Sequence, residues 1–234
     1  MLGLAFASRG RPDQFHKTLS EISKAKVEPD TFLSVRLDED DPKLKLYKPA
    51  NYFRGEVKCE VGPRLAKGSA PHINRAAMEA YRYGATLIMQ VADDQSYAEG
   101  AVGFDKCLNE KASRLSDGIG LFYTGDTYLD KAQVSHPIVT RKWIETLGFF
   151  YSREYVHFFA DTELMEIARG IGRLFYVQDL SIKHMKHAFM DELYYEIRQG
   201  PEPENDLKVF EGRAQAREQA RERLRAQAQG PVVV

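Results

Sequence analysis

The sequence predicts an α/β fold: a mainly parallel central sheet flanked by helices, with a C-terminal helical extension. Three observations predict it. Short apolar runs alternate with segments of helical periodicity through the first half of the chain. One of these runs, residues 85–92, has the composition of a buried strand. Over residues 213–229 the chain turns rich in Ala, Arg, Gln and Glu, a composition that favours helix.

Taken in order, residues 2–8 form a first strand that ends in Ser8-Arg9-Gly10-Arg11-Pro12. The apolar start is too short, and has no basic region ahead of it, to read as a signal peptide. After Pro12, a helix-start signal, Phe15, Leu19 and Ile22 fall on one helical face. Residues 31–37 read as a second strand that stops in an acidic cluster at 38–41, and 56–61 as a third. A helix over 71–83 carries Ile73, Ala77, Ala80 and Tyr81 on one face and stops at Gly84. Strand 85–92 follows, then a helix over 99–113 and a strand near 119–124. Helices are expected near 139–147 and 161–171, and a strand over 174–177. Gly200-Pro201-Glu202-Pro203-Glu204-Asn205 reads as a linker. The expected division is therefore a domain at 1–199, a linker at 200–205 and a helical tail at 206–234.

Composition narrows the function classes. The 234 residues suffice for one sizeable core, and 33 basic against 34 acidic residues leave a net charge of -1. No strong field draws the whole molecule to nucleic acid or an anionic membrane. No run approaches the roughly 18 apolar residues of a membrane span. Two distant cysteines, Cys59 and Cys107, make no zinc pair and fit a reducing compartment, so a cytoplasmic location is expected.

Ligands of such sheets bind outside the carboxyl ends of the strands, at the point where the strand order reverses. Three strand ends are polar here: 8–12, 38–42 and 92–95. At the last, Asp93 and Asp94 follow an apolar strand directly. Two adjacent carboxylates there are costly unless compensated, and a hard divalent cation, Mg2+ or Mn2+, is the natural compensation. A solvated turn is the plain alternative. Arg9, Arg11, Arg64 and Lys67 are candidates for a diphosphate, because guanidinium forks match phosphate oxygens. Trp143 and the aromatics at 149–159 could stack on a sugar, although such residues more often form core.

Together these segments resemble GT-A glycosyltransferases, especially the family-2-like group, over about residues 2–187. Ser8 to Pro12 stands where that family begins its nucleotide pocket. Arg36-Leu37-Asp38-Glu39-Asp40-Asp41-Pro42 resembles the acidic motif after the second strand. Gly62 to Ser69, followed by Asn74-Arg75-Ala76-Ala77, resembles the approach to the family's next helix. Val91-Ala92-Asp93-Asp94 stands at the DXD-like motif, with Ala92 in place of its first acid. The resemblance implies a Rossmann-like mixed sheet and a nucleotide-sugar donor, a UDP-sugar first. It assigns the donor to Ser8, Arg9, Arg11, Asp38, Asp40, Arg64, Lys67, Asn74 and Asp93. The metal would fall to Asp94 with His184 or His187, and Asp161, with Glu163, would supply the catalytic base of an inverting enzyme. Asp161 also suits a helix N-cap and Glu163 a first helical turn.

A dinucleotide-binding enzyme would need GxGxxG after the first strand, and a P-loop enzyme GxxxxGK[ST]; neither is present. A nucleotidyltransferase with the same sheet, or a non-catalytic nucleotide-sugar or glycan-binding module, stays open. In the tail, Arg213, Arg217, Arg221 and Arg225 share one helical face beside a narrow apolar stripe, Ala216, Ala220, Leu224 and Ala228. That stripe suggests packing against a partner, including a second copy of the chain.

Overall fold

The computed structural model describes residues 1–98, 100–125, 133–185 and 190–228. Its first half alternates as expected: β1 (Leu2–Ser8), α1 (Pro12–Ala25), β2 (Phe32–Asp38), the short α2 (Pro49–Tyr52), β3 (Val57–Gly62), α3 (Ala70–Tyr83) and β4 (Leu87–Val91). There follow β5 (Gln95–Ser96), α4 (Phe104–Ser113), β6 (Leu121–Gly125), β7 (Ile138–Thr140), α5 (Arg141–Leu147) and α6 (Ala160–Gly170). The chain continues through β8 (Leu174–Ser181), β9 (Lys183–His184), α7 (Glu192–Gln199), α8 (Glu202–Gly212) and α9 (Ala214–Arg225).

Seven strands form one sheet in the order β3-β2-β1-β4-β7-β6-β8. β1 pairs in parallel with β2 and with β4, β2 with β3, and β6 with β8. Only β7 runs antiparallel, between β4 and β6. At three residues it is too short to show a period, which is why the sequence does not reveal it. The order reverses at β1, whose neighbours are β2 and β4, and this opens the crevice in which a ligand binds.

Two cores lie on opposite faces of the sheet. On one, Phe15, Leu19 and Ile22 of α1 and Phe104 and Leu108 of α4 pack under β1, β2 and β4. On the other, the alanines of α3 meet Trp143, Ile144, Leu164, Ala220 and Leu224. Gly3 lets α3 approach β1: a Cβ there would lie 2.8 Å from Ala85 Cβ and 2.9 Å from Ala80 Cβ. Pro12 opens α1, and Gly84, at φ 106°, ends α3.

The C-terminal region departs from expectation. Residues 200–205 are not an extended linker, because α8 begins at Glu202 with Pro203 in its first turn, where a missing N–H costs nothing. Ala220 and Leu224, the centre of the stripe expected to meet a partner, are buried against α5 and α6 of the same chain. The arginine face is likewise used within the chain. Arg225 Nη2 donates to the Gly170 carbonyl at 2.9 Å and Arg221 Nη2 to that of Glu166 at 3.3 Å, at the C-terminal half of α6, while Arg223, off that face, donates to the Thr146 carbonyl at the end of α5. No helix among the described residues is long and apolar enough to cross a membrane.

Candidate active site

A cavity of about 520 Å3 opens at the carboxyl ends of β1, β2 and β4. Its floor is Ser8, Asp38, Asp93 and Asp94; one wall is the loop leading into α3, the other runs from His157 to Thr162, and α7 forms its roof. Size and placement suit a small organic ligand.

Asp93 lies deepest. Ser8 Oγ donates to its Oδ2 at 2.7 Å and Arg11 Nη1 to its Oδ1 at 3.1 Å. Burial pushes its pKa up to about 6, against the pull of Arg11. Arg11 in turn grips Asp191 with Nε and Nη2, at 2.6 and 2.7 Å. Asp191 also caps α7 by accepting the Tyr194 N–H, so one arginine ties the roof to the floor.

Asp94 meets His184 because a two-stranded ribbon brings them together. β5 pairs antiparallel with β9, and Gln95 faces His184. His184 Nε2 then stands 3.0 Å from Asp94 Oδ2. Burial alone would raise the Asp94 pKa, but the hydrogen bond and charge of His184 hold it below the usual carboxylate range. The other carboxylate oxygen, Oδ1, is buried and finds no hydrogen-bond partner among the described residues. An orphaned carboxylate oxygen beside an imidazole nitrogen fits Mg2+ or Mn2+. Among the described residues no group of three or more His, Cys, Asp or Glu is placed to hold a metal ion. A pair of protein ligands suits a cation whose remaining positions go to water and phosphate. His187 lies outside the described residues.

At the end of β2, Asp38 is held by Arg9 Nη1 at 3.1 Å and faces His72 Nδ1 at 3.2 Å. His72 bonds the main chain of Ala66 through Nε2, and burial lowers its pKa. Arg36 lines the same end; it is 2 % exposed, donates to the carbonyls of Pro63 and Leu37, and its Nε has no partner among the described residues. Sequence reasoning missed both residues. The signal for Arg36 was a charge inside an apolar strand; His72 had none.

Asp161 faces the cavity from the opposite wall. Thr162 N donates to its Oδ1 at 2.8 Å and Gln133 Nε2 to its Oδ2 at 3.2 Å, and burial raises its pKa. It is the second residue of α6 rather than the cap, which is Phe159 in a left-handed conformation, φ 61°. Glu163 does not join it. Only 2 % exposed, it accepts from Tyr155 Oη at 2.8 Å and from Arg213 Nε and Nη2 at 3.0 Å, in the packing between α6 and α9. A carboxylate so engaged is structural.

Lys67 lines the cavity. Arg64 does not; its guanidinium folds back onto the carbonyls of Ala66 and Lys67. Asp40 is outside too, exposed and paired with Arg9 at 2.5 Å. Asn74 bridges both ways to the Tyr151 main chain, at 2.9 and 2.7 Å, and braces α3 rather than a ligand. Of the aromatics considered for stacking, Trp143, Phe150, Tyr151 and Tyr155 are core, while Phe158 and Phe159 reach the cavity.

No protein-family model matches the chain, and no curated protein matches its sequence. Its fold, however, is similar to solved structures. Glucosyl-3-phosphoglycerate synthase from M. tuberculosis matches at TM-score 0.57 and 12% identity, over 85% of this chain and 77% of that one. The same synthase in complex with Mg2+ and uridine diphosphate matches at 0.54 and 11%, over 79% and 71%. S. aureus TarS 1-349 in complex with UDP-GlcNAc matches at 0.57 and 12%, over 84% and 64%. The chain thus spans less than two thirds of the TarS fragment. At such identities the likeness is one of architecture, and the architecture is the GT-A fold of nucleotide-diphospho-sugar transferases.

Proposed function

We propose that the chain is a metal-dependent glycosyltransferase that moves a sugar from a nucleotide-diphosphate donor, a UDP-sugar, to a hydroxyl acceptor with inversion at the anomeric carbon. One observation carries the reading. The switch-point cavity holds an Asp94–His184 pair with an orphaned carboxylate oxygen on its floor and a half-buried carboxylate, Asp161, on its far wall. The fold-level likeness to structures bound to uridine diphosphate with Mg2+, and to UDP-GlcNAc, supports the choice of donor.

The roles follow from position. Asp38, steadied by Arg9 and His72, accepts N–H or O–H groups of the nucleoside at the end of β2. Ser8 and Arg11 orient Asp93 toward the ribose or the sugar. Arg11 and Lys67 offer positive charge to the diphosphate. Asp94 and His184 would hold Mg2+ or Mn2+, which when bound neutralises charge on the departing diphosphate. Asp161 takes the proton of the acceptor hydroxyl as it attacks the anomeric carbon. Its burial-raised pKa makes it a stronger base than a free aspartate. α7 roofs the reacting groups and limits the access of water, so that hydrolysis of the donor is a slow side reaction of the same site.

Calorimetric titration of UDP into wild type and Asp94→Asn, with and without Mn2+, tests this reading. The expected result is binding that requires metal and weakens by at least about 10-fold in the variant. Metal-independent binding, or equal affinity in the two proteins, would refute it.

A further inference from the structure

The far wall of the cavity is held from outside the sheet. Asp206, in the second turn of α8, is 1 % exposed, and its carboxylate accepts three consecutive main-chain N–H groups. Val156 donates at 3.0 Å, His157 at 2.8 Å and Phe158 at 2.7 Å. Successive N–H groups turned toward one point make an anion nest, and here a side chain of the same molecule fills it.

The nested residues run straight into the cavity wall. Val156 O accepts from Ala70 N at 3.1 Å, at the start of α3. His157 Nδ1 lies 3.1 Å from Ser69 Oγ. Gly68 permits this approach, since a Cβ there would collide with the Val156 carbonyl and stand 2.5 Å from His157 Cβ. Next comes Phe159, the only non-glycine residue with positive φ among those described. Its carbonyl accepts the Glu163 N–H at 2.8 Å and opens α6, on whose first turn Asp161 sits. A strained conformation of this kind persists only when its surroundings over-determine it. Phe210, one helical turn beyond Asp206, supplies the second grip by stacking on Phe159 at 5.4 Å between ring centroids.

We infer that Asp206 is a positioning residue for the far wall, so that the C-terminal helices complete the site rather than append to it. The inference rests on the transferase reading for its kinetic consequence, but not for its structural one. Asparagine at 206 keeps the shape and gives up one acceptor oxygen. The wall then loosens and Asp161 drifts from alignment, while Ser8, Asp38, Asp93 and Asp94 stay on their strands.

Two measurements on the full chain test this. Hydrogen exchange of the 156–158 amides is expected to quicken by at least about 10-fold in Asp206→Asn, with β1 and β4 unchanged. Metal-dependent hydrolysis of UDP-GlcNAc is expected to lose at least about 10-fold in kcat while UDP affinity stays within about 2-fold. Phe210→Leu, which removes the ring that stacks on Phe159 and lies under Arg217, should lower kcat in the same direction and keeps the test open if Asp206→Asn does not fold. Unchanged exchange at 156–158, or exchange raised equally in β1 and β4, would overturn the inference; so would a kcat loss matched by loss of UDP binding. If the wild type neither binds UDP nor hydrolyses UDP-GlcNAc, the transferase reading falls alone, and the exchange measurement still decides the role of Asp206.

Discussion

Asp161 and Glu163 stand one residue apart on the first turn of α6 and face different surroundings. Asp161 opens onto the cavity and accepts from Gln133 and from the main chain and hydroxyl of Thr162, whereas Glu163 is saturated by a tyrosine and two arginines. The Asp161 pKa is raised by burial, so its charged form is less stable folded than unfolded. Such a group gives its full stability below the unfolded pKa and loses it as pH rises through the folded one. Asp161→Asn should therefore melt higher than wild type at about pH 7, with the gap closing toward about pH 4. It should also keep UDP affinity and lose about 10^2-fold or more in turnover. A thermal scan across pH, paired with a rate assay, checks both; an equal gap at both pH values would contradict the assignment. The strand ends that carry Asp93, Asp94 and Asp38 to the cavity were legible in the sequence because each follows an apolar run, whereas Asp161 was singled out through the family resemblance. Arg36, His72 and Asp206 were not. Each has a partner 27 to 50 positions away, Pro63, Asp38 and Val156 respectively, a separation no local pattern encodes.

At the scale of elements, helical periods and buried runs located α1, α3, β1, β2 and β4 closely, since each buries one clear face or both. β7 escaped through brevity, and α8 hid behind two prolines that read as a linker but start a helix. The arginine ladder of α9 read as a solvated or partner-packed face. The structure instead spends it on helix ends and on a buried ion pair with α6. Glu163, 2 % exposed, is the acid of that pair. Removing one member of a buried pair leaves the other uncompensated. Glu163→Gln is expected to lower unfolding free energy by about 3 kcal/mol in a urea titration without weakening UDP binding. A variant of wild-type stability, or one that folds fully and has lost UDP binding, would contradict this division of labour.

For the whole molecule, the decisive feature is where the chain reverses its strand order. β1 and β4 lie side by side, and their ends deliver Ser8 and Asp93 to hydrogen-bonding distance although 85 residues separate them. The β5–β9 ribbon adds His184, and α6 and α8 close the far wall. Five regions far apart in sequence thus converge on one cavity and its walls, and what that cavity holds decides the function. Crystals grown with UDP and Mn2+, measured at the manganese absorption edge, give the most direct answer. A single anomalous peak is expected in contact with Asp94 and His184, with the diphosphate beside it and the base toward Asp38. UDP bound elsewhere, or bound in this cavity with manganese remote from Asp94, would contradict it.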